Sequence, residues 1–232
     1  MSNICIIPAR GGSKRIQKKN IKPFLGKPII AYSIEAAINS NLFDEVMVST
    51  DDKEIEEVAL RFGAKVPFLR SKKNSDDFSG TVDVIIEVLK NYNIADNENH
   101  NICCLYPTAP MVTIDSIKSA LELLVDKKYD TVFPVTKFSY PIQRALKIAE
   151  NQKVSMIWPE NMSKRSQDLP SSYHDAGQFY WMTSNSIIKS KKIYSENSGV
   201  IILNKMIVQD IDTIDDWNIA ELKMKNTFKL KE

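Results

Sequence analysis

Ile6-Ile7-Pro8-Ala9-Arg10-Gly11-Gly12-Ser13-Lys14-Arg15-Ile16-Gln17-Lys18-Lys19-Asn20 leads from a short apolar strand straight into a glycine-containing, strongly basic loop. That order of elements opens a polyphosphate site. Arg10, Lys14, Arg15, Lys18, Lys19 and Lys22 fall within residues 1–22 without an acidic residue, whereas the whole chain carries 31 Lys+Arg against 29 Asp+Glu. The positive charge is local, which fits a small anionic partner. Gly11 and Gly12 allow backbone amides to approach an anion closely, Ser13 adds a hydroxyl, and the basic side chains supply charge. A nucleoside triphosphate matches this description; a solvated basic loop between strand and helix is the plainer alternative.

Spacing removes two familiar phosphate loops. A P-loop needs Gly, four residues, then Gly-Lys-Ser/Thr, and no segment supplies it. The dinucleotide fingerprint Gly-x-Gly-x-x-Gly is not met by Gly11-Gly12-Ser13. Neither an ATPase of that type nor a dehydrogenase is indicated.

At 232 residues and 43% hydrophobic content, the chain can bury a substantial core as one principal α/β domain. Near-neutral net charge argues against a nucleic-acid-binding surface. No run of about 18 apolar residues and no signal-peptide pattern is present, so no membrane partner is expected and the expected location is the cytoplasm. Cys5, Cys103 and Cys104 lie in apolar strand-like runs without C-x-x-C spacing. Neighbouring strand residues point to opposite faces, so these are expected to be reduced core residues.

Strands alternate with helices along the first half. Ile4–Ile7, Glu45–Thr50, Ile102–Tyr106 and Thr131–Val135 read as buried strands. Pro28–Ser40, Asp52–Phe62, Thr81–Tyr92 and Ile114–Val125 carry helical periodicity, with Pro28 suited to a helix start and Gly63 to a stop. The pattern predicts a three-layer α/β fold with a mainly parallel, Rossmann-like sheet. Ligands of such sheets sit at the carboxyl ends of strands, where the basic loop, Ser49–Asp52 and Pro107–Pro110 all fall. Beyond Thr136 the pattern loosens, and residues 137–175 show no clean crossover. Regular structure resumes with a strand at Gly177–Met182, a helix near Asn185–Ser190, strands at Gly199–Leu203 and Met206–Ile211, and a last helix from Thr213. The loose segment reads either as a long surface excursion or as an arm toward a second subunit.

Gln209-Asp210-Ile211-Asp212-Thr213-Ile214-Asp215-Asp216 forms a second constellation. With Asp210 and Asp212 two apart at the end of the expected strand, both carboxylates would project from one face and suit a magnesium ion, which takes one or two carboxylates together with substrate phosphates and water. Helix capping is the alternative. Thr213 and Asp216 match a capping box, and Asp215 and Asp216 are assigned to it.

The opening segment, Ala9-Arg10-Gly11-Gly12-Ser13-Lys14 with Lys19-Asn20, resembles the signature of the acylneuraminate (sugar-acid) cytidylyltransferase family. The resemblance implies that this loop binds CTP, with Arg10 and Lys14 on phosphates, and that Asp210 and Asp212 hold Mg2+, with Asp212 joining Arg10 and Lys14 as catalytic residues. It also implies that Arg70, Ser79 and Thr81, around Asp76-Asp77-Phe78-Ser79-Gly80-Thr81, edge the cytosine. Leu105-Tyr106-Pro107-Thr108-Ala109-Pro110 resembles the family's Leu-Gln-Pro-Thr-Ser-Pro, with Tyr106 where the family has Gln. Tyr106 and Thr108 are accordingly placed toward the sugar. Ser139–Leu146 and Tyr173–Trp181 combine aromatics, an arginine and amides, a mix suited to a polyhydroxylated acid, and make Gln143, Arg144, Gln178 and Tyr180 candidate sugar contacts.

Those two segments most resemble the branch of the family that activates pseudaminic acid. The implied reaction moves CMP from CTP to the anomeric hydroxyl of a nine-carbon sugar acid and releases pyrophosphate, in a homodimer built through residues 137–175. An N-acetylneuraminate or ketodeoxyoctonate enzyme, or a non-catalytic anion-binding scaffold on the same fold, are the rival expectations.

Overall fold

The computed structural model describes residues 2–76, 79–95 and 98–228. Asp77 and Phe78 of the expected cytosine-edge segment lie outside the described residues. In chain order the strands are β1 (Asn3–Pro8), β2 (Pro23–Phe24), β3 (Lys27–Pro28), β4 (Glu45–Ser49), β5 (Asn101–Leu105), β6 (Thr131–Lys137), β7 (Leu146–Ile148), β8 (Val154–Met156), β9 (Tyr173–Asp175), β10 (Phe179–Thr183) and β11 (Ser198–Leu203). The helices are α1 (Ile29–Asn39), α2 (Lys53–Arg61), α3 (Thr81–Asn91), α4 (Ile114–Lys127), α5 (Ser184–Ser190) and α6 (Ile214–Phe228).

The main sheet has the order β11-β6-β10-β5-β1-β4, with β9 also paired to β6. β1, β4, β5, β6 and β11 run the same way, and β9 and β10 oppose them. The expected parallel α/β sheet is therefore present with an antiparallel strand inside it. Alternation along the strands splits the core into two layers. Cys5, Ile7, Cys103, Leu105, Phe179 and Trp181 face α1, α2 and α4, whereas Ile4, Ile6, Ile102, Cys104, Tyr180 and Met182 face α3 and α5. The three cysteines are buried and free, with Cys103 and Cys104 on opposite faces as expected.

Local chemistry sets the helix boundaries. Asp52 caps α2 by accepting from the amides of Glu54 (2.8 Å) and Ile55 (3.2 Å), and Gly63, at φ +90°, ends it. Gly80, not Thr81, is the N-cap of α3. That leaves the Thr81 hydroxyl available for another partner.

One expected strand is absent. Met206–Ile211 begins with a 3-10 turn, Lys205–Ile207, and continues without a sheet neighbour. Its carbonyls are taken by side chains: Gln178 Nε2 donates to Ile207 O (2.6 Å), Lys223 Nζ to Val208 O (2.6 Å) and Lys19 Nζ to Ile211 O (2.7 Å). Val208 and Ile211 are buried three residues apart, which is not a strand period. Ile211 joins Ile16, Phe24, Ile29, Met111 and Trp217 in a third apolar cluster under α6. Ile16 and Ile211 therefore anchor the basic loop and the acidic segment in one cluster.

Residues 138–172 leave the sheet after β6 and return at β9. They carry the β7–β8 hairpin and short 3-10 turns. Tyr140, Leu146, Ile148, Val154 and Met162 are exposed there.

Candidate active site

The basic loop docks on the β4 end. Ala9 N donates to Ser49 O (2.9 Å), and Gly11 N donates to Asp51 Oδ1 (2.9 Å). A Cβ on Gly11 would lie 2.4 Å from Asp52 Oδ2 and 2.8 Å from Asp52 Cβ, so glycine is required by close packing. This corrects the expected role of Gly11: its amide is spent on Asp51 rather than aimed at an anion. Gly12 has open space around its Cα. Asn20 is buried and donates from Nδ2 to Arg10 O (2.9 Å), closing the loop on itself.

A cavity of about 420 Å³ opens above this junction. Arg10, Ser13, Lys14, Lys19, Asn20, Arg70, Ser79, Thr81, Tyr106 and Thr108 all line it, so the structure brings the phosphate, base and Tyr106–Thr108 segments together. Arg10 Nη1 donates to Asp76 O (2.7 Å), across the mouth from its own loop. Arg70 is only 7% exposed, its Nε donates to Ser49 Oγ (3.0 Å), and its Nη2 donates to Ser49 O. Burial lowers its pKa, against the pull of Asp51 and Glu87. Ser79 Oγ is engaged by Lys73 O (2.8 Å) and Asp76 Oδ1 (2.7 Å). Arg15 also lines the cavity, although its place within the basic run gives it no signal of its own.

Tyr106 links the cavity to the tyrosine buried behind it. Its hydroxyl lies 3.1 Å from Thr81 Oγ1, and its ring packs edge-on to Tyr180 at 5.6 Å. Burial pushes the Tyr106 pKa up to about 12. Tyr180 is 5% exposed and donates its hydroxyl to Asp175, whose other oxygen accepts from Gly177 N (2.7 Å). Burial also pushes the Tyr180 pKa upward. Both phenols therefore stay neutral at physiological pH. Gly177, at φ +62°, makes the turn between β9 and β10 that seats Asp175 beneath Tyr180.

Asp210 and Asp212 flank buried Ile211 rather than sharing a strand face, which replaces the expected geometry. Asp212 pairs with Arg15 (2.7 Å) and lies 3.5 Å from Lys19 Nζ. Asp210 reaches solvent, yet packing about its carboxyl, first, and the charge of Asp212, second, raise its pKa. The capping box exists as read: Thr213 N and Oγ1 donate to Asp216 Oδ2 (2.8 and 2.7 Å), and Asp216 N donates to Thr213 Oγ1 (3.2 Å). Among the described residues, no group of three or more His, Cys, Asp or Glu is arranged to hold a metal ion.

Four candidate sugar residues are placed differently from one another. Tyr180 is buried behind Tyr106, and Gln178 is 3% exposed, with its amide holding Ile207 and its Oε1 unpartnered. Gln143 Nε2 donates to Pro170 O (3.1 Å) and Ser172 Oγ (2.9 Å), and Arg144 Nη1 to Ser166 Oγ (3.2 Å). None of the four lines the cavity. Asp175, at the end of β9, is the support of the tyrosine pair. Its only sequence signal was its position ahead of Gly177.

The cytidylyltransferase family model matches residues 4–228, nearly the whole described chain. The chain belongs to the cytidylyltransferase family. Over 229 residues it is 48% identical to a pseudaminic acid cytidylyltransferase of Campylobacter jejuni, covering 97% of each protein. It is 32% identical over 231 residues to a CMP-N,N'-diacetyllegionaminic acid synthase of Legionella pneumophila, again covering 97% of each. Its fold is similar to that of a CMP:2-keto-3-deoxy-manno-octonic acid synthetase solved with CTP, with TM-score 0.68, 17% identity, and coverage of 99% of this chain and 100% of the other. This cytidylyltransferase is thus a CTP-dependent nucleotidyltransferase. Members of the family generally use divalent metal ions. No helix among the described residues is long and apolar enough to cross a membrane.

Gly11→Ala should destabilise the enzyme by roughly 1–3 kcal/mol, because Asp52 is both the neighbour that must move and the cap of α2. Gly12→Ala should leave stability nearly unchanged. Urea denaturation of the two variants measures this, and equal stability would show that the loop is not locked at Gly11.

Proposed function

We propose that this cytidylyltransferase transfers CMP from CTP to the anomeric hydroxyl of a nine-carbon sugar acid, pseudaminic acid being the preferred acceptor. The observation that carries the acceptor is the 48% identity, over 97% of both chains, to a protein named for that reaction. In this reading the triphosphate lies along Arg10, Lys14 and Lys19, and the base lies beside Arg70, Ser79 and Thr81. The anomeric oxygen bonds to the α-phosphorus in line, the bond to pyrophosphate breaks, and the hydroxyl proton passes to solvent. The basic side chains orient the nucleotide and stabilise charge that grows on the departing phosphates.

Asp210 and Asp212 are the residues that would hold Mg2+. The fit rests on the chemistry of two carboxylates two residues apart, with Asp212 beside Arg15 and Lys19 of the cleft; burial, first, and the charge of Asp212, second, raise the pKa of Asp210, and a cation would relieve the second. When bound, the ion neutralises charge developing on pyrophosphate. Arg15 and Lys19 supply positive charge to Asp212.

Residues 1–232 act in this reading as one nucleotidyltransferase unit in the cytoplasm, with residues 137–175 as a dimerisation arm. The exposed Tyr140, Leu146, Ile148, Val154 and Met162 support a partner surface there. Half-buried Met156 and exposed Trp158 would be covered with them. Gln143 and Arg144 would then serve the sugar pocket of the second subunit, which accounts for their placement away from the cavity of their own chain.

Pyrophosphate release should require CTP and should be faster with pseudaminic acid than with N-acetylneuraminic acid offered in parallel. Equal or reversed preference would remove pseudaminic acid as the acceptor. Asp210→Asn should lower turnover roughly 100-fold and raise the magnesium concentration for half-maximal rate, since a charged ligand is lost at the departing phosphates. Its thermal stability should be kept, because the substitution also removes a desolvated charge facing Asp212. Asp215→Asn, in the first turn of α6, should leave both kinetic quantities unchanged. Wild-type turnover and metal response in Asp210→Asn would restrict the acidic segment to a structural role.

A further inference from the structure

A second cavity, of about 830 Å³, lies between the 3-10 turn Lys72–Asn74 and α3, and shares Ser79 with the cleft lined by Arg10 and Arg70. No residue from Ser71 to Asp76 is buried. With no apolar core beneath it, this stretch is held in place by polar contacts. Those contacts meet at Glu87, midway along α3. Ser71 N donates to Glu87 Oε1 (2.7 Å), Ser71 Oγ donates to Oε2 (3.0 Å), and Asn74 Nδ2 donates to the same Oε2. A carboxylate accepts only, and three donors of the turn use both of its oxygens. Bonds to an ionised acceptor are the stronger class of hydrogen bond.

Both ends of the turn reach the cleft. Before it, the Arg70 amide donates to Thr50 O (2.7 Å) and the buried guanidinium donates to Ser49, so the chain leaves the sheet from a fixed point. After it, Ser79 Oγ lies 2.8 Å from Lys73 O, inside the turn. Thr81, which lines the same cleft, opens the helix that carries Glu87. Glu87 does not line the cleft itself, yet it ties the Arg70 and Ser79 side to the helix of Thr81. Its negative charge also acts on Arg70, second to that of Asp51 among the acids.

We propose that Glu87 is a positioning residue for the nucleotide base: by clamping Ser71 and Asn74 to α3 it sets the spacing of Arg70, Ser79 and Thr81. The assignment rests on the placement of the base beside those three residues. The basic loop has separate anchors in Asp51 and Asn20, so the clamp acts on the base end and leaves the phosphate end as it is.

Glu87→Gln keeps one accepting oxygen but turns an amide toward the Asn74 amide, so the Kd of CTP and of CMP, measured by calorimetry, should each rise about tenfold. Pyrophosphate affinity should be unchanged, which also reports that the variant is folded, and the sugar-acid KM at saturating CTP should not move. Glu87→Gln combined with Asn74→Asp exchanges donor and acceptor across the same contact and should regain most of the CTP affinity. Asn74→Ala, which leaves the carboxylate on Ser71, should weaken CTP and CMP by a smaller factor. Wild-type CTP and CMP affinity in both single variants overturns the clamp, and so does an equal loss of pyrophosphate affinity, which would mark a general loosening of the cleft. Arg70→Lys separates this from the parent reading. If that variant loses CTP and CMP affinity while the Glu87 and Asn74 variants do not, the clamp alone falls; if it binds both as the wild type does, the base does not lie beside Arg70 and the parent placement falls.

Discussion

The docking of Gly11 against Asp51 and Asp52 is the contact on which the rest of the site depends. Asp52 approaches so closely that no side chain fits at residue 11, and the same carboxylate caps α2. The loop, the β4 end and the helix are consequently set as one piece. One residue before Asp51, Thr50 O accepts the backbone amide of Arg70 (2.7 Å), which holds the buried guanidinium against Ser49. A single junction at the ends of β1 and β4 therefore positions both the basic loop and Arg70 on one cleft. In the proposed reading, preorganisation of this kind would let the nucleotide bind with little reordering.

Electrostatics joins the acidic segment to that junction. Lys19 lines the nucleotide cleft, bonds Ile211 O and approaches Asp212, while Arg15 pairs with the same carboxylate. Any ligand that draws Lys19 or Arg15 toward phosphate must leave Asp212 in need of another cation. In the proposed reading, nucleotide and metal would thereby be coupled through these two side chains. Apolar anchors make the coupling possible, because Ile16 and Ile211 fix basic loop and acidic segment to the same cluster.

The fold was largely legible because the first half of the chain repeats apolar strands and amphipathic helices at regular spacing, and each helix read there was found within two residues at either end. The Met206–Ile211 strand failed for a different reason. Its apolar residues satisfy the composition of a strand, but three of its carbonyls are claimed by Gln178, Lys223 and Lys19 from distant elements, which no local pattern reveals. The lining of the cleft was legible where it lies on one contiguous motif, as from Arg10 to Asn20, and less so where a residue acts through another. Asp175 supports Tyr180, and Tyr180 packs on Tyr106, a chain visible only after β9 and β10 fold back on β6. Gly11 shows the same limit: its glycine is needed for Asp52, forty-one positions away, rather than for the anion that the motif implied.

The most direct measurement is a crystal structure of the enzyme with CTP. The account predicts the triphosphate against Arg10, Lys14 and Lys19, the base beside Arg70 and Thr81, and the Gly11–Asp51 bond unbroken. A nucleotide seated elsewhere, or one bound only after Gly11 has parted from Asp51, would contradict it.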